Sequence, residues 1–375
     1  MNTIVKRTVL SILGGAVIAF CPSPAAAQES SEGKVEVDGT LIVPGYVLPQ
    51  SQLVSDIFRQ EYAEYVNREM AFSPPPANDA PKTAWDKFDA DYDEAVSGTV
   101  VPYWKQIYPV DVEVTKMAGV PVAVITPKGG VKPGNEGRVL INVHGGGFFA
   151  GRGFLSGQQE SIPIASLAGI KVITVDYRMA PYFKYPAASE DSEAVYRELL
   201  KTYKPESIGI FGCSAGGALT AQSIAWYRSK GLPRPGAAGI FCSAPPLPVR
   251  RATDSSMWSS PSGVPWKGPI ELAMARNMGG GYMSTADPKD PRAYPGISDE
   301  ELAKFPPSLF FTGTRASEMS AAIVAHAKFL KLGVDSQIYI QEEGVHGSFM
   351  TFKRSPETHD AYTYIAKWFN ATLAD

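Results

Sequence analysis

The sequence is poor in several features that define common classes of protein. Its 375 residues include three cysteines and four histidines, and 35 basic residues nearly balance 38 acidic ones, for a formal net charge of −3. So few cysteines exclude a small disulfide scaffold. The balanced charge, without a basic block or stripe, argues against nucleic acid as a partner. The length suits one large α/β domain with an added lid, or two domains.

The apolar run near the N terminus, residues 9–20, is too short to cross a bilayer comfortably. Two basic residues precede it, and Ala-Ala-Ala follows at 25–27. This order is typical of a secretory signal, so residues 1–27 are predicted to be a signal peptide, with no stable membrane anchor in the mature chain. An uncleaved anchor is the alternative. We therefore expect the protein in the periplasm or outside the cell.

The next part of the chain lacks strand patterns and is rich in aromatic residues. No strand pattern precedes Val110, whereas apolar side chains recur at helical spacing after Ser51 and again around Trp85 and Tyr92. Ser51 is predicted to cap the first of these two helices. Residues 28–109 are therefore predicted to form an N-terminal lead-in and a helical cap.

From residue 110 onward, short apolar runs rich in β-branched residues alternate with helical patterns. This alternation predicts an α/β fold, with a mostly parallel central sheet covered by helices on both faces. The main domain is predicted to extend over residues 110–375. Residues 245–305 are rich in proline, methionine and aromatic residues and are too long for a simple connection, so we expect them to contribute to the cap.

A Gly-x-Ser-x-Gly motif lies between a predicted strand and a predicted helix. Gly212 and Gly216 permit a cramped turn, from which Ser214 can project its hydroxyl at the end of the strand. Ala215 begins the helix, where negative charge is favoured near the N–H groups. A nucleophile beside such a donor is what acyl transfer requires. The alternative is a glycine-rich turn with an incidental serine, because the motif alone is only moderately specific.

One histidine stands where a general base is needed. His346 lies in a glycine-flanked loop directly after a predicted strand, from which it could reach across the strand ends toward Ser214. The alternative is a loop histidine without a role. His326 and His359 fall in predicted helices and are interpreted as packing or surface residues. His144 ends a strand before three glycines and is expected to hold that loop by hydrogen bonds.

The three glycines after His144 suit an oxyanion hole, because backbone N–H groups without Cβ bulk can point into a cavity. Gly146 and Gly147, together with Ala215, are the predicted donors, whereas Gly145 could serve only the turn. A phosphate-binding loop is the competing interpretation. The sequence lacks the Gly-x-x-x-x-Gly-Lys pattern that such a loop would require.

The acid that orients the histidine is expected after the strand predicted at residues 308–312. Glu318 is the one carboxylate in the loop that follows this strand. Asp335, Glu342 and Glu343 are nearer to His346 in sequence, but they flank the last predicted strand and are interpreted as surface charges. Glu318 is therefore the predicted acid, which would fix the imidazole tautomer without taking its proton.

The predicted mature chain has two cysteines, Cys213 and Cys242, each at the end of a predicted strand. A secreted protein of this size does not need disulfides for stability. The pattern therefore favours two buried thiols, with a disulfide between them as the alternative.

Taken together, these motifs resemble the hormone-sensitive-lipase family of α/β-hydrolases, the bacterial group IV esterases. The matching stretches are His-Gly-Gly-Gly-Phe at 144–148, Asp-Tyr-Arg-Met-Ala-Pro at 176–181, Pro-Ala-Ala at 186–188, Gly-Cys-Ser-Ala-Gly-Gly at 212–217 and Gly-Val-His-Gly at 344–347. They span roughly residues 105–370, and the cap sequence is not part of the match. The resemblance implies an α/β-hydrolase fold over residues 110–375 and an order of serine, acid and histidine along the chain.

Two positions depart from the family pattern. Members commonly carry Asp before the nucleophile, where this chain has Cys213, but that position is not catalytic. The family acid is usually an Asp about three residues after the glycine that ends the strand. Here that residue is Ala316, and Glu318 comes two positions later, so the departure bears on the acid and not on the family.

The resemblance implies a carboxylic ester hydrolase that acts on small or short-acyl esters through an acyl-enzyme intermediate, without a cofactor or a metal ion. A lactonase or a deacetylase would use the same groups. A catalytically inactive hydrolase fold that binds ligands is the alternative from another functional class. Beyond a small-molecule ester, the sequence indicates no partner, and whether the protein forms a homo-oligomer stays open.

Overall fold

The computed structural model describes residues 34–35, 37, 41–42, 48–67, 75–77, 79–248 and 281–374. The predicted signal peptide and residues 249–280 of the predicted cap lie outside these ranges. The chain divides into two compact units, residues 1–49 and residues 50–375. The first contains a short antiparallel pair, β1 (Lys34–Val35) and β2 (Leu41–Ile42). The sequence analysis predicted no strand before Val110, because two residues are too few for a period-two pattern.

The second unit is built on an eight-stranded sheet with the order β10-β9-β8-β7-β5-β6-β4-β3. The strands are β3 (Val110–Met117), β4 (Val120–Pro127), β5 (Val139–Val143), β6 (Lys171–Val175), β7 (Ile208–Cys213), β8 (Ala237–Phe241), β9 (Ser308–Gly313) and β10 (Ser336–Gln341). The strands from β10 to β6 are parallel, and β4 pairs antiparallel with β6 and β3. Strands β3 and β4 form a hairpin that turns at Ala118 and Gly119, both at positive φ.

Helices cover the two faces of this sheet. The helices of the described residues, including those that lie beside the sheet, are α1 (Asp56–Asn67), α2 (Lys82–Val96), α3 (Val100–Ile107), α4 (Leu155–Ala168), α5 (Ala187–Leu199), α6 (Ala215–Ser229), α7 (Asp299–Leu302), α8 (Met319–Lys331), α9 (Ser348–Thr351) and α10 (Pro356–Thr372). Short 3-10 helices lie at Pro205–Ser207, Tyr282–Thr285 and Pro295–Ile297. Among the described residues, none of the helices combines the length and the apolar character that a membrane span requires.

Two hydrophobic cores, one on each face, hold these layers together. Ile210 of β7 belongs to the core shared with α5, α6 and α8, and its neighbour Phe211 belongs to the core shared with α3, α4 and α10. Successive strand residues point to opposite faces, so a strand that is buried on both sides has apolar residues throughout. All six residues of β7 are buried, as expected for a central strand. The predicted α/β fold with a covered, mostly parallel sheet is confirmed.

Two helices begin at residues that differ from the predicted ones. The hydroxyl of Ser55, not that of Ser51, accepts the N–H of Phe58 at 3.1 Å in the first turn of α1. The Ser51 N–H instead donates to the buried carboxylate of Glu343. Helix α4 begins at Leu155, whereas the apolar pattern of the sequence predicts a helix only over residues 161–167. Its first two turns contain three buried glutamine and glutamate side chains, so they lack the apolar periodicity that signals a helix.

Candidate active site

Ser214 sits in a strained turn between β7 and α6. Its backbone has φ 60° and ψ −120°, an unusual conformation for a residue with a side chain. Gly212 and Gly216 make the turn possible, because a Cβ built on either would lie 2.0 or 1.9 Å from the carbonyl oxygen of Val143. The turn therefore packs directly against the end of β5. The Ser214 N–H donates to the carbonyl of Phe241 at 2.9 Å, which ties the turn to β8.

The loops after β9 and β10 bring together the predicted acid and the predicted base. The Nδ1 atom of His346 lies 2.9 Å from Oε2 of Glu318. The carboxylate is 7% exposed, whereas the imidazole side chain is 37% exposed. Because β7, β9 and β10 are parallel, Ser214 and both of these loops lie at the carboxyl edge of one sheet. The structure thus joins two of the three predicted triad residues and places the third at the same edge.

The other candidate acids lie in different environments. Asp335 precedes β10, at the opposite end of the strand from His346, and its carbonyl accepts the N–H of Ser308 at 2.9 Å. Glu342 is exposed. The interpretation of Glu343 as a surface charge is wrong, because this residue is completely buried and its Oε1 atom lies 3.2 Å from Nη1 of Arg315. Glu318 is therefore the carboxylate that the fold presents to the imidazole.

Arg315 and Glu343 connect the acid loop to the histidine loop. Nη1 of Arg315 also donates to the hydroxyl of Tyr62 in α1, at 2.9 Å. The Glu343 N–H donates to the Thr314 hydroxyl at 2.8 Å. Apolar side chains of α1 pack under the same loops, where Phe58 meets Phe352 edge-on with ring centroids 4.9 Å apart. Helix α1 therefore braces the two loops from outside the sheet.

The glycine loop after β5 faces Ser214. Gly146 and Gly147 have positive φ values of 112° and 64°, and the Cα of Gly145 packs against Ser214, because an added Cβ would lie 3.5 Å from that of Ser214. Within the described ranges, the N–H groups of Gly146, Gly147 and Ala215 donate to no protein acceptor. The Gly145 N–H donates to Glu160 at 2.8 Å. Gly145 therefore serves the turn, and the three predicted oxyanion donors remain available to a ligand.

His144 supports this loop from the inside. Its Nδ1 atom lies 2.6 Å from the carbonyl oxygen of Gly145, and its ring stacks on Tyr177 with centroids 4.6 Å apart. The Tyr177 hydroxyl donates to the His144 carbonyl at 2.7 Å. Complete burial lowers the pKa of the imidazole to about 4, so the ring is neutral at pH 7 and Nδ1–H donates to the carbonyl. These contacts are those expected of a loop-holding histidine.

Helix α2 covers the outer side of the glycine loop. The carboxylate of Asp89 accepts the Gly151 N–H at 2.9 Å. The Phe149 ring lies against Trp85 and Phe88, with centroids 6.4 and 5.9 Å away. Asp93, one turn further along α2, accepts a hydrogen bond from the Ser156 hydroxyl at 3.1 Å. Helix α2, which belongs to the predicted cap, therefore contacts the glycine loop and the residues just after it through both polar and aromatic groups.

The two other histidines lie away from this edge. Nδ1 of His326 contacts the Ser336 hydroxyl at 2.8 Å, at the start of β10. His359 stacks on Tyr108 and contacts its hydroxyl through Nδ1 at 2.8 Å. Their packing roles agree with the sequence analysis. No group of His, Cys, Asp and Glu in the described part of the chain could hold a metal ion.

The prediction of two buried thiols is wrong. Cys213 and Cys242 are buried, but they form a disulfide that joins the residue before Ser214 to the residue after β8. Their Cα atoms are 5.1 Å apart, within the range that a disulfide requires. Both residues were predicted to lie at strand ends. It could not show that β7 and β8 are neighbours in register, with Cys213 beside Phe241.

Sequence reasoning also missed Glu160. This glutamate is 3% exposed in α4 and accepts hydrogen bonds from two backbone N–H groups beside the site, those of Gly145 and Cys213. Gln158, Gln159 and Ser161 surround it in the sequence, so no apolar spacing marked it as a buried position. The helix predicted over residues 161–167 begins one residue after this glutamate, so its buried position was not predicted.

Comparisons with known proteins agree with this architecture. A model of the alpha/beta hydrolase fold family matches residues 140–350. An acetyl-hydrolase of Streptomyces hygroscopicus is 30% identical over 193 residues, which cover 49% of this chain and 59% of that protein. The chain thus spans about three fifths of the length of this relative.

Solved structures match more of the chain. The crystal structure of an esterase named E25 is 27% identical, covers 89% of this chain and 99% of its own, and has a TM-score of 0.74. A hormone-sensitive lipase from a metagenome library is 23% identical, with coverage of 86% and 99% and a TM-score of 0.68, and shows the fold alone. These findings confirm the resemblance that the motifs indicated, and the chain belongs to the α/β-hydrolase fold family.

Proposed function

We propose that this protein hydrolyses carboxylic esters of small or short-acyl type through a Ser214–His346–Glu318 triad. One observation carries the proposal. The buried carboxylate of Glu318 is hydrogen-bonded to Nδ1 of His346, at the same sheet edge as a serine held in a strained strand-to-helix turn. Nδ1 is thereby engaged with the carboxylate, and in the proposed mechanism Nε2 is the nitrogen that exchanges protons with the serine hydroxyl.

The reaction proceeds in two halves. Ser214 attacks the ester carbonyl while Nε2 of His346 takes its proton, and the N–H groups of Gly146, Gly147 and Ala215 hold the oxyanion that forms. The imidazolium then protonates the leaving alcohol, which departs and leaves the acyl group on Ser214. Water, deprotonated by the same imidazole, attacks the acyl-enzyme and releases the acid. Glu318 stabilises the imidazolium without taking its proton.

The preference for short acyl groups has separate support. The relatives from Streptomyces hygroscopicus and Salmonella typhi are named acetyl-hydrolase and acetyl esterase. Near the glycine loop, the ring of Phe148 stacks on Tyr282 with centroids 4.7 Å apart, and both side chains are buried. Such a filled aromatic contact leaves little room for a long chain on that side of the loop.

A deacetylase acting on amides is the second candidate, since one relative is named arylacetamide deacetylase. The same groups would also open a lactone. An inactive fold that only binds esters would form no acyl-enzyme. The periplasmic or extracellular location is likewise proposed, and the disulfide beside Ser214 supports it because disulfides persist in oxidising compartments.

The test compares purified wild type with Ser214→Ala on p-nitrophenyl esters of increasing acyl length. We expect release of p-nitrophenol to be fastest with acetate or butyrate. The variant should lose about 10⁴-fold or more in kcat, because no other group can form the acyl-enzyme. A fluorophosphonate probe should label the wild type and not the variant. Absence of turnover and of labelling in the wild type would favour the binding protein.

A further inference from the structure

Glu160 lies beneath the two chain segments that supply the predicted oxyanion donors. It belongs to α4, which approaches the sheet closely at Gly157, where an added Cβ would lie 2.0 Å from the methyl group of Thr174. Three residues later along the helix, the Glu160 side chain points at the carboxyl ends of β5 and β7. The residue is 3% exposed, so water does not solvate its carboxylate.

Each carboxylate oxygen is engaged by N–H donors. Oε1 accepts the Gly145 N–H at 2.8 Å. Oε2 accepts the side-chain N–H of Asn142 at 2.8 Å and the Cys213 N–H at 3.2 Å. Gly145 immediately precedes the donors Gly146 and Gly147, and Cys213 immediately precedes Ser214. One carboxylate thus binds the backbone next to both halves of the oxyanion hole.

No cation balances this carboxylate. Within the described ranges, no Lys, Arg or His nitrogen forms an ion pair with Glu160. Burial raises the pKa of the carboxyl to about 7, although the three N–H donors lower it. A buried acid that carries a raised pKa and no counterion is costly for the folded state. In return for this cost, the carboxylate holds the backbone at Gly145 and Cys213 in fixed positions beside the site.

We propose that Glu160 is a positioning residue that sets the distance between the glycine loop and the Ser214 turn, and thereby assembles the oxyanion hole. The two segments are far apart in sequence and belong to different strands. A group that is hydrogen-bonded to both fixes the positions of their N–H donors relative to the serine hydroxyl. A displacement of about 1 Å at such a site can cost about 100-fold in rate. This role rests on the proposed esterase function.

The test is Glu160→Gln, with Glu193→Gln as the matched control. The amide keeps the shape, but its NH₂ group must face at least one of the N–H donors, so one backbone contact becomes repulsive. We expect kcat for p-nitrophenyl acetate to fall about 10- to 100-fold, with KM within about 3-fold of the wild type. Glu193 is a largely buried carboxylate bonded to Trp226 in another part of the fold, and its variant should keep the wild-type kcat.

Thermal stability separates positioning from a merely structural role. Replacing the buried acid by a neutral amide removes an uncompensated charge, so at pH 8 Glu160→Gln should melt at the wild-type temperature or above it. A variant that is equally stable but slow supports the proposal. An unchanged kcat overturns it, and so does a loss of activity that parallels a lower melting temperature.

A second variant allows the proposal to be tested if Glu160→Gln does not fold. Glu160→Asp retains the charge but is one methylene shorter, so it cannot reach both segments at once. We expect a lower kcat at an unchanged KM, and wild-type kinetics would overturn the proposal. The proposed function fails in a different way, because then the wild type itself shows no Ser214-dependent turnover.

Discussion

The two sides of the active-site edge are held together by different means. On the nucleophile side, Ser214 and the glycine loop pack backbone against backbone, with Gly212 and Gly216 in contact with the end of β5. On the acid–histidine side, Glu318 and His346 project from loops that are joined by the buried Arg315–Glu343 pair and braced by α1. Where backbones pack this closely, even an added Cβ atom would clash. Where side chains hold the loops, the arrangement is lost when one partner of a contact is removed. We therefore expect the nucleophile side to be most sensitive to substitutions that add bulk, and the acid–histidine side to substitutions that remove a charge.

The largest effect on the acid–histidine side is expected from Glu318→Gln. Loss of the carboxylate removes the group that stabilises the imidazolium and selects its tautomer, so kcat should fall about 10³- to 10⁴-fold. Asp335→Asn is the matched control, because its side chain lies at the other end of β10 and should leave kcat unchanged. The measurement is kcat of both variants with p-nitrophenyl acetate as the substrate. Wild-type activity in Glu318→Gln would remove this residue from the triad.

The contrast between the two sides also explains what the sequence could predict. The strand, turn and helix around Ser214 were predicted because glycine spacing and apolar runs are local features. The parallel sheet followed from alternating strands and helices. The contacts of Glu160 were not predicted, since its bonds to Gly145 and Cys213 span 15 and 53 residues and depend on which strands are neighbours.

The same limit applies to the acid–histidine side. The order of serine, acid and histidine predicted Glu318, although the acid stands two residues beyond the usual family position. The role of α1 was not predicted, because the sequence presents it only as an amphipathic helix. Its contacts with Arg315 and Phe352 join positions that are more than 250 residues apart. A partner at such a distance leaves no periodic signal in the chain.

The Arg315–Glu343 pair, which links the acid loop to the histidine loop, can be broken by a single substitution. Arg315→Met leaves the carboxylate of Glu343 buried without its cation, and removing one partner of a buried ion pair typically costs about 3–5 kcal/mol. We expect a lower free energy of unfolding in urea, together with a reduced kcat because the acid and histidine loops lose their link. Tyr62→Phe removes only the hydroxyl that accepts a hydrogen bond from the Arg315 guanidinium and should cost less, about 1.5–3 kcal/mol. Equal effects of the two variants would contradict the electrostatic account.

On the nucleophile side, the Cys213–Cys242 disulfide links two segments covalently, as the Arg315–Glu343 ion pair links two loops on the other side. Cys213 and Cys242 are 29 residues apart, and closing a loop of that length stabilises a protein by about 3–4 kcal/mol in the chain-entropy model. We expect the double variant Cys213→Ala, Cys242→Ala to unfold at a lower urea concentration. It should retain much of its kcat, because the glycine packing and Glu160 still hold the turn. A mass measurement that finds two free thiols in the unreduced wild type would contradict the disulfide.

The smallest effect concerns Asp93 of α2, whose carboxylate accepts a hydrogen bond from the Ser156 hydroxyl at the start of α4. Burial, together with the nearby charge of Asp89, raises the pKa of its carboxyl to about 7. Because the folded pKa lies above the unfolded value, this group favours the folded state below about pH 4, and the benefit is lost as the pH rises through 7. Asp93→Asn should therefore raise the free energy of unfolding at pH 8.5 by on the order of 1 kcal/mol, with little gain at pH 5. Asp91 lies two residues earlier in α2, where it is exposed and paired with Lys87, and Asp91→Asn should show no such pH dependence. If both variants behave alike, burial of Asp93 is not what limits stability on this side of the site, and close packing alone accounts for it.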